Sequence, residues 1–191
     1  MDESLVKIRH ERSKKDFPGL RLEDDEYVEF VFKRASICLF LILGGTALSV
    51  ILVLVAFLVF LLGQAMIDEM GQRFLFIILT ALLFAAVIIG TIAFMIYHGN
   101  KLYVTNKHVV QLVMNSLVSS SENMIDLPSI EDVSFRREGI MQQMFHYGTL
   151  RLATVGDETT YTFKYADISS EQLKAVSKLV TESKKNKKKS D

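Results

Sequence analysis

Hydrophobic and polar positions follow three different patterns along the chain. Up to Arg34 charge dominates, with eight Lys/Arg and nine Asp/Glu. From Ala35 to Ile67 there is no charged residue, and a second uncharged run extends from Phe74 to Asn100. Beyond Asn100 apolar and polar residues alternate. The densest apolar stretch, Ile37 to Leu62, reaches about 39 Å as a helix, against a hydrocarbon core of roughly 30 Å. Runs that are apolar on every face and this long read as membrane spans, not as buried helices of a soluble protein. The pattern therefore predicts a transmembrane hairpin over 35–98, with spans at 37–62 and 74–98.

Gly63 to Arg73, GQAMIDEMGQR, reads as a polar turn between the spans. Lys and Arg set the orientation. Arg21, Lys33, Arg34, Lys101 and Lys107 flank the hairpin, whereas the turn holds only Arg73. This asymmetry predicts a multi-pass protein with both termini in the cytoplasm. The first span starts too late and runs too long for a cleaved signal peptide. Cys38, at its start, reads as an inert thiol in apolar surroundings. Neither span carries an ionisable interior residue, which argues against an ion path built from this chain alone. Ser36, Thr46, Ser49, Thr80 and Thr91 can bond to their own helix backbone. Gly45 and Ser49 in one span, and Ala86, Gly90 and Ala93 in the other, let backbones approach. They suit either packing of the hairpin on itself or a dimer face.

The arm, residues 1–34, begins polar and is expected to be poorly ordered. Phe17-Pro18-Gly19-Leu20 punctuates it. Tyr27 to Phe32 is aromatic and β-branched, which fits a strand, a segment lying in the membrane interface, or the first turns of an extended helix.

After Asn100 the alternation predicts short antiparallel strands. Leu102–Thr105 and His108–Val113 flank an Asn106-Lys107 turn, and Asn115-Ser116 is a second turn. A third strand runs from Leu117 to Leu127, where Pro128 interrupts. Ile130, Val133 and Phe135 mark a fourth, and Gly139–His146 is a helical or loop excursion. Thr149–Val155 and Thr159–Tyr165 alternate around a Gly156-Asp157-Glu158 turn, with Tyr161, Phe163 and Tyr165 on one face. Ser169 with Gln172 is a capping-box pair. Leu173, Val176, Leu179 and Val180 then recur at helical spacing. The fold class is thus an α+β membrane protein: a two-helix hairpin, then a pleckstrin-homology-like (PH-like) antiparallel β-barrel or sandwich over 100–183, capped by a C-terminal helix. A lysine-rich tail, 184–191, follows.

Three stretches carry a family resemblance. Leu102-Tyr103-Val104-Thr105-Asn106-Lys107-His108-Val109-Val110 resembles the Y-x-[LV]-T-N-x-R-[LIV] opening of the bacterial PH-domain family of membrane-flanked, YdbS-like proteins. His108 stands where that family more often has arginine. Ile125-Asp126-Leu127-Pro128-Ser129-Ile130-Glu131-Asp132-Val133 is similar to its I-x-L-x-x-I-x-x-V step. Gln143 to Leu150 resembles its hydrophobic-Gly-Thr lead-in to the next strand. The resemblance covers roughly 100–180 and follows a pair of spans, as is usual in the family. It implies a PH-like domain anchored in a bacterial plasma membrane, without a settled ligand.

Composition narrows the function classes. The 191 residues carry 22 Lys+Arg and 22 Asp+Glu, so no global positive field recruits nucleic acid, and no nucleic-acid partner is expected. With one cysteine there is no disulfide framework. His10, His98, His108 and His146 lack metal-ligand spacing. No nucleophile elbow or phosphate loop is present. Asp24-Asp25-Glu26 and Glu131-Asp132 read as solvated charge, and His108 as an exposed strand residue. These features predict no catalytic residue, no metal site, no cofactor and no enzyme. Arg136 and Arg137 form a small basic cluster. Lys184, Lys185, Lys187, Lys188 and Lys189 form another, each worth about 1 kcal/mol at an anionic surface. Both clusters are candidate contacts for anionic lipid. The favoured function is an interaction module for a protein partner or a second copy at the bilayer. The alternatives are an anionic-lipid or bilayer sensor, and an accessory subunit of a transport or stress-resistance complex.

Overall fold

The structure is a computed structural model that describes residues 3–63, 68–154 and 160–190, with side chains to residue 187 in the last segment. Gln64 to Ile67 of the expected polar turn, the Gly156-Asp157-Glu158 turn with Val155 and Thr159, and the side chains of Lys188 and Lys189 lie outside the described residues. The chain divides into two units. One comprises Met1–Ala35, Gly99–Asn115 and Ser119–Asp191; the other comprises Ser36–His98 with Ser116–Val118.

The second unit holds two long helices, α2 (Ser36–Leu62) and α3 (Glu69–Gly99). Both are long and apolar enough to cross a membrane, and none of their most apolar stretch is buried. That exposure is unlike a core helix of a soluble protein. The expected turn to Arg73 is shorter than its polarity suggested. Glu69 to Arg73 already belongs to α3, where an exposed Glu69–Arg73 pair at 3.8 Å spans one helical turn. Thr46, Ser49, Thr80 and Thr91 donate to carbonyls three or four residues back. Gly90 is buried, and a Cβ there would run into the Thr46 side chain. Phe57 and Phe76 meet further along, 5.6 Å between centroids. The small-residue seam at Gly90 therefore serves packing of the hairpin on itself.

The first unit is a two-sheet sandwich. Its elements are α1 (Glu3–Asp16), β1 (Val28–Lys33), β2 (Lys101–Thr105), β3 (His108–Met114), β4 (Ser120–Asp126), β5 (Ile130–Arg136), α4 (Ile140–Met144), β6 (Tyr147–Thr154), β7 (Thr160–Asp167) and α5 (Ser170–Ser190). One sheet has the order β1-β2-β3-β4 and the other β5-β6-β7, all antiparallel. The barrel is not closed. β4 and β5 are joined by a 3-10 turn, Leu127–Ser129, at the predicted Pro128 break, and α5 packs on this turn and on β5. On the other side Arg34 bridges Ala166, and the Ala35 amide donates to the Tyr165 carbonyl at 2.7 Å.

The arm is part of this unit. β1 pairs with β2 from Val28↔Thr105 to Lys33↔Lys101, which settles the open reading of Tyr27–Phe32 as a strand. The first strand of the sandwich thus precedes the helical hairpin in sequence, and the second follows it. Phe32 sits at 1% exposure in the core with Leu102, Val104, Leu150, Phe163 and Val176. The outer face of the same sheet is covered too. Leu20, Tyr103 and Val110 form a second cluster with Phe17, and Phe17 meets Tyr103 edge-on at 5.4 Å. β2, from Leu102 to Thr105, is consequently buried on both faces.

Three further expectations are corrected. The polar start of the arm is helical, tied down by the Ser13 hydroxyl, which accepts the Val28 amide at 3.0 Å. The third strand begins at Ser120, because Asn115 to Ser119 forms the preceding turn. Tyr165 does not share a face with Phe163: a bulge between Gly148/Leu150 and their partners puts Tyr165 at φ +61° and turns Ala166 inward. The capping box is realised as read. The Ser169 amide donates to Gln172 Oε1 at 3.0 Å, and the Gln172 amide to Ser169 Oγ at 3.2 Å. The helix it starts continues through the lysines to Ser190.

Candidate functional site

Strand register gives the sandwich two distinct ends. At the attachment end Lys33 pairs with Lys101, the residues beside the exits to α2 and α3. The same level continues across the second sheet. Arg34 bridges Ala166, Ala166 pairs with Gly148, and Thr149 pairs with Arg136. Gly148 is required there, because a Cβ would collide with the Arg136 carbonyl and the Phe135 ring. This gives the Gly-Thr lead-in a steric reason.

The far end holds the Thr105–His108 turn, and the acidic part of the arm is fastened to it. Glu26 is fully buried. Its Oε1 accepts the Thr105 hydroxyl at 2.5 Å and His108 Nδ1 at 2.9 Å, while Oε2 accepts the Glu23 amide at 2.9 Å. His108 Nε2 lies 3.4 Å from Asp126 Oδ1. Asn106 clasps the arm by its backbone: the Tyr27 amide donates to Asn106 Oδ1, and Asn106 Nδ2 donates to the Asp25 carbonyl. Lys107 Nζ donates to the Asp24 carbonyl at 2.8 Å. Burial pushes the Glu26 carboxyl up, but the bonds from Thr105, the Glu23 amide and His108, with the His108 charge, hold it below its ordinary range.

Sequence reasoning missed this pair. Glu26 is not solvated and His108 is not exposed; they are partners 82 residues apart. Both the strand alternation and the T-N-x-R resemblance pointed to the turn, but neither pointed to the arm that its residues hold. Thr105, Asn106 and the following cationic position hold the arm.

At the attachment end the expected arginines sit side by side. Arg136 is exposed and 3.3 Å from Glu138. Arg137 lies 5.3 Å from the Phe135 ring centre, beside a cavity of about 290 Å³ that Ser169, Ser170 and Leu173 also line. The lysine cluster is elsewhere. Lys184 Nζ donates to the Glu131 carbonyl at 3.2 Å, near the far start of β5. That is five residues from Arg136, or about 17 Å along a strand. Lys185 and Lys187 continue exposed along α5 beyond it. Among the described side chains, Arg136 and Arg137 therefore do not form one surface with Lys184, Lys185 and Lys187. Among the described residues no group of three His, Cys, Asp or Glu is placed to hold a metal ion.

These features define a PH-like sandwich interrupted by a helical hairpin. The family model described as bacterial PH domain matches residues 36–184, and the chain belongs to that family. The match takes in both long helices and starts after β1. A solved structure similar to part of the chain is a DUF1696 family protein with a pleckstrin-homology domain from Shewanella loihica PV-4. It is 12% identical with a TM-score of 0.33, covering 44% of this chain and 70% of that one. No curated protein matches. Family membership supports a protein-interaction or lipid-binding module.

Proposed function

We propose that the protein is a non-catalytic module anchored in the plasma membrane by α2 and α3, with both termini cytoplasmic, and that its PH-like sandwich receives a protein partner or a second copy. One observation carries this reading: β1 and β2, on either side of the hairpin, pair in a single sheet. A hairpin inserted between paired strands must leave and return on one side of any membrane it crosses. The Lys and Arg asymmetry makes that side the cytoplasm. The non-catalytic part rests on family membership, together with a buried Glu26 whose oxygens are already taken up by donors from Thr105, His108 and Glu23. Anchoring confines partners to a plane and raises their effective concentration.

Single cysteines test the topology in cells, in a Cys38→Ser background. Arg73→Cys is expected to react with a membrane-impermeant maleimide added outside, and Ser121→Cys only after lysis. Equal labelling of both from outside, or release of the chain by alkaline carbonate, overturns the reading. In-cell cross-linking from the Ser121 position then reports a partner or a dimer. A strictly monomeric pattern counts against the interaction role.

A second reading, contact with anionic lipid, is favoured for Arg136 and Arg137 alone, because they stand at the end where the chain leaves for the hairpin. Lys184, Lys185, Lys187, Lys188 and Lys189 belong to the opposite end of α5. A role for them at the bilayer needs a separate surface.

A further inference from the structure

The β5–β6 connection, Arg137 to His146, leaves apolar side chains exposed. Ile140 is 82% exposed, Met144 59%, Met141 45% and Phe145 41%. Positions i, i+1, i+4 and i+5 of a helix share one face, so these four form a single apolar surface on α4 and its C-cap. Gln142 is on the other side, where its Oε1 accepts the Glu138 amide at 2.6 Å. An isolated exposed leucine needs no explanation, but four adjoining apolar side chains do.

The position of this surface narrows what covers it. Arg136 lies at the level of the Arg34–Ala166 bridge, at the attachment end. The links there are short: Arg34-Ala35 between β1 and α2, and Asn100 between α3 and β2. Charge at this end is mainly positive. Lys33, Arg34, Lys101, Arg136 and Arg137 stand against Glu122, Glu138 and Asp167 at corresponding strand positions. Apolar side chains edged by arginine are the composition of an element lying in a membrane interface.

We propose that the β5–β6 connection is a shallow bilayer-insertion element. Ile140, Met141, Met144 and Phe145 enter the acyl boundary of the leaflet beside the hairpin, and Arg136 and Arg137 meet its anionic headgroups. The proposal rests on the reading that α2 and α3 cross the membrane. It extends that reading from an anchor to a second, orienting contact.

The chain contains no tryptophan, so a single one is a clean reporter. Full-length Phe145→Trp is reconstituted into vesicles of phosphatidylcholine with or without phosphatidylglycerol, including lipids brominated high on the acyl chain. Ile140→Trp repeats the measurement at a second exposed site. Leu54→Trp, within α2, reports whether the hairpin is inserted, and Glu182→Trp, exposed near the far end of α5, is the solvated control. The expected result is a blue-shifted emission from Phe145→Trp in anionic vesicles, with quenching of roughly half, as suits a depth of roughly 5–10 Å. Adding Arg136→Gln and Arg137→Gln is expected to weaken that quenching, as is high salt. Quenching of Leu54→Trp with none at Phe145 and Ile140 overturns the insertion element and leaves the anchor standing; the apolar face then belongs to a protein partner. Equal quenching with and without phosphatidylglycerol overturns the assignment to an anionic surface. An unquenched Leu54→Trp overturns the spanning reading itself.

Discussion

The acidic arm and the β5–β6 connection reverse the usual relation between composition and burial. Glu26, in a run of three acidic residues, is buried completely, while Ile140, next to Met141, is left out. The difference lies in what each segment meets. The arm meets a turn that supplies a hydroxyl and an imidazole to its carboxylate, while the Asn106 side chain holds its backbone. The β5–β6 connection extends past the end of its sheet, where the unit provides no apolar wall. Burial follows the availability of a partner, not the polarity of the segment.

The sharpest way to break this comparison is to attack the arm's apolar anchor. Phe32→Ala should cost about 3–5 kcal/mol, as for other buried aromatics, in pulse proteolysis of the full chain in detergent. A loss below 1 kcal/mol would mean that β1 is dispensable. Glu26→Ala comes next, at about 3 kcal/mol, because three donors lose their acceptor and His108 loses its main partner.

His108 sharpens the same contrast by chemistry. His108→Ala should cost about 2 kcal/mol, the value of a hydrogen bond to a buried charge. His108→Arg should stay within about 1 kcal/mol, since arginine also donates to carboxylates and remains charged. If both cost the same, donation from position 108 to the Glu26 carboxylate does not hold the arm.

Acid offers a graded version. Glu26 has a folded-state pKa below its unfolded one, so its contribution is present above the unfolded value, about 4.3, and disappears as pH falls through the depressed folded value. Chain stability should therefore drop across that acidic window, and Glu26→Gln should flatten the drop. An unchanged profile in Glu26→Gln would assign acid sensitivity to other carboxylates. The smallest effect belongs to the exposed loop. Ile140→Ser with Met144→Ser should shift stability in detergent by less than about 0.5 kcal/mol. A large loss would show that the loop has a buried partner after all.

Much of the sandwich was legible because half-buried strands alternate. The alternation of 149–154 and the Ser169–Gln172 cap required nothing beyond local spacing. β1 was ambiguous for a physical reason. Its sheet carries the core on one face and the arm's own cluster on the other, so Tyr27 to Phe32 shows no clean two-residue period. α1 has no apolar stripe to read; it is held by His10, bonded to the Glu26 carbonyl at 2.6 Å, and by Ser13. The Glu26–His108 pair could not be read from either segment, because each looks solvated until the other arrives. Arg136 and Arg137 were legible as a cluster, but which end of the unit they occupy depends on register. The bulge at Tyr165 likewise answers to a distant need, since its carbonyl receives the Ala35 amide.

Because β1 and β2 lie on opposite sides of the hairpin in sequence, a ribosome delivers the first strand about 70 residues ahead of its neighbour, roughly 3–14 s at 5–20 residues per second. During that interval Phe32 has no sheet to join. The sandwich can be completed only after both helices have been synthesised, so a nascent chain stalled before Lys101 should carry an unfolded arm, and a finished sandwich requires the two strands flanking the hairpin to have met.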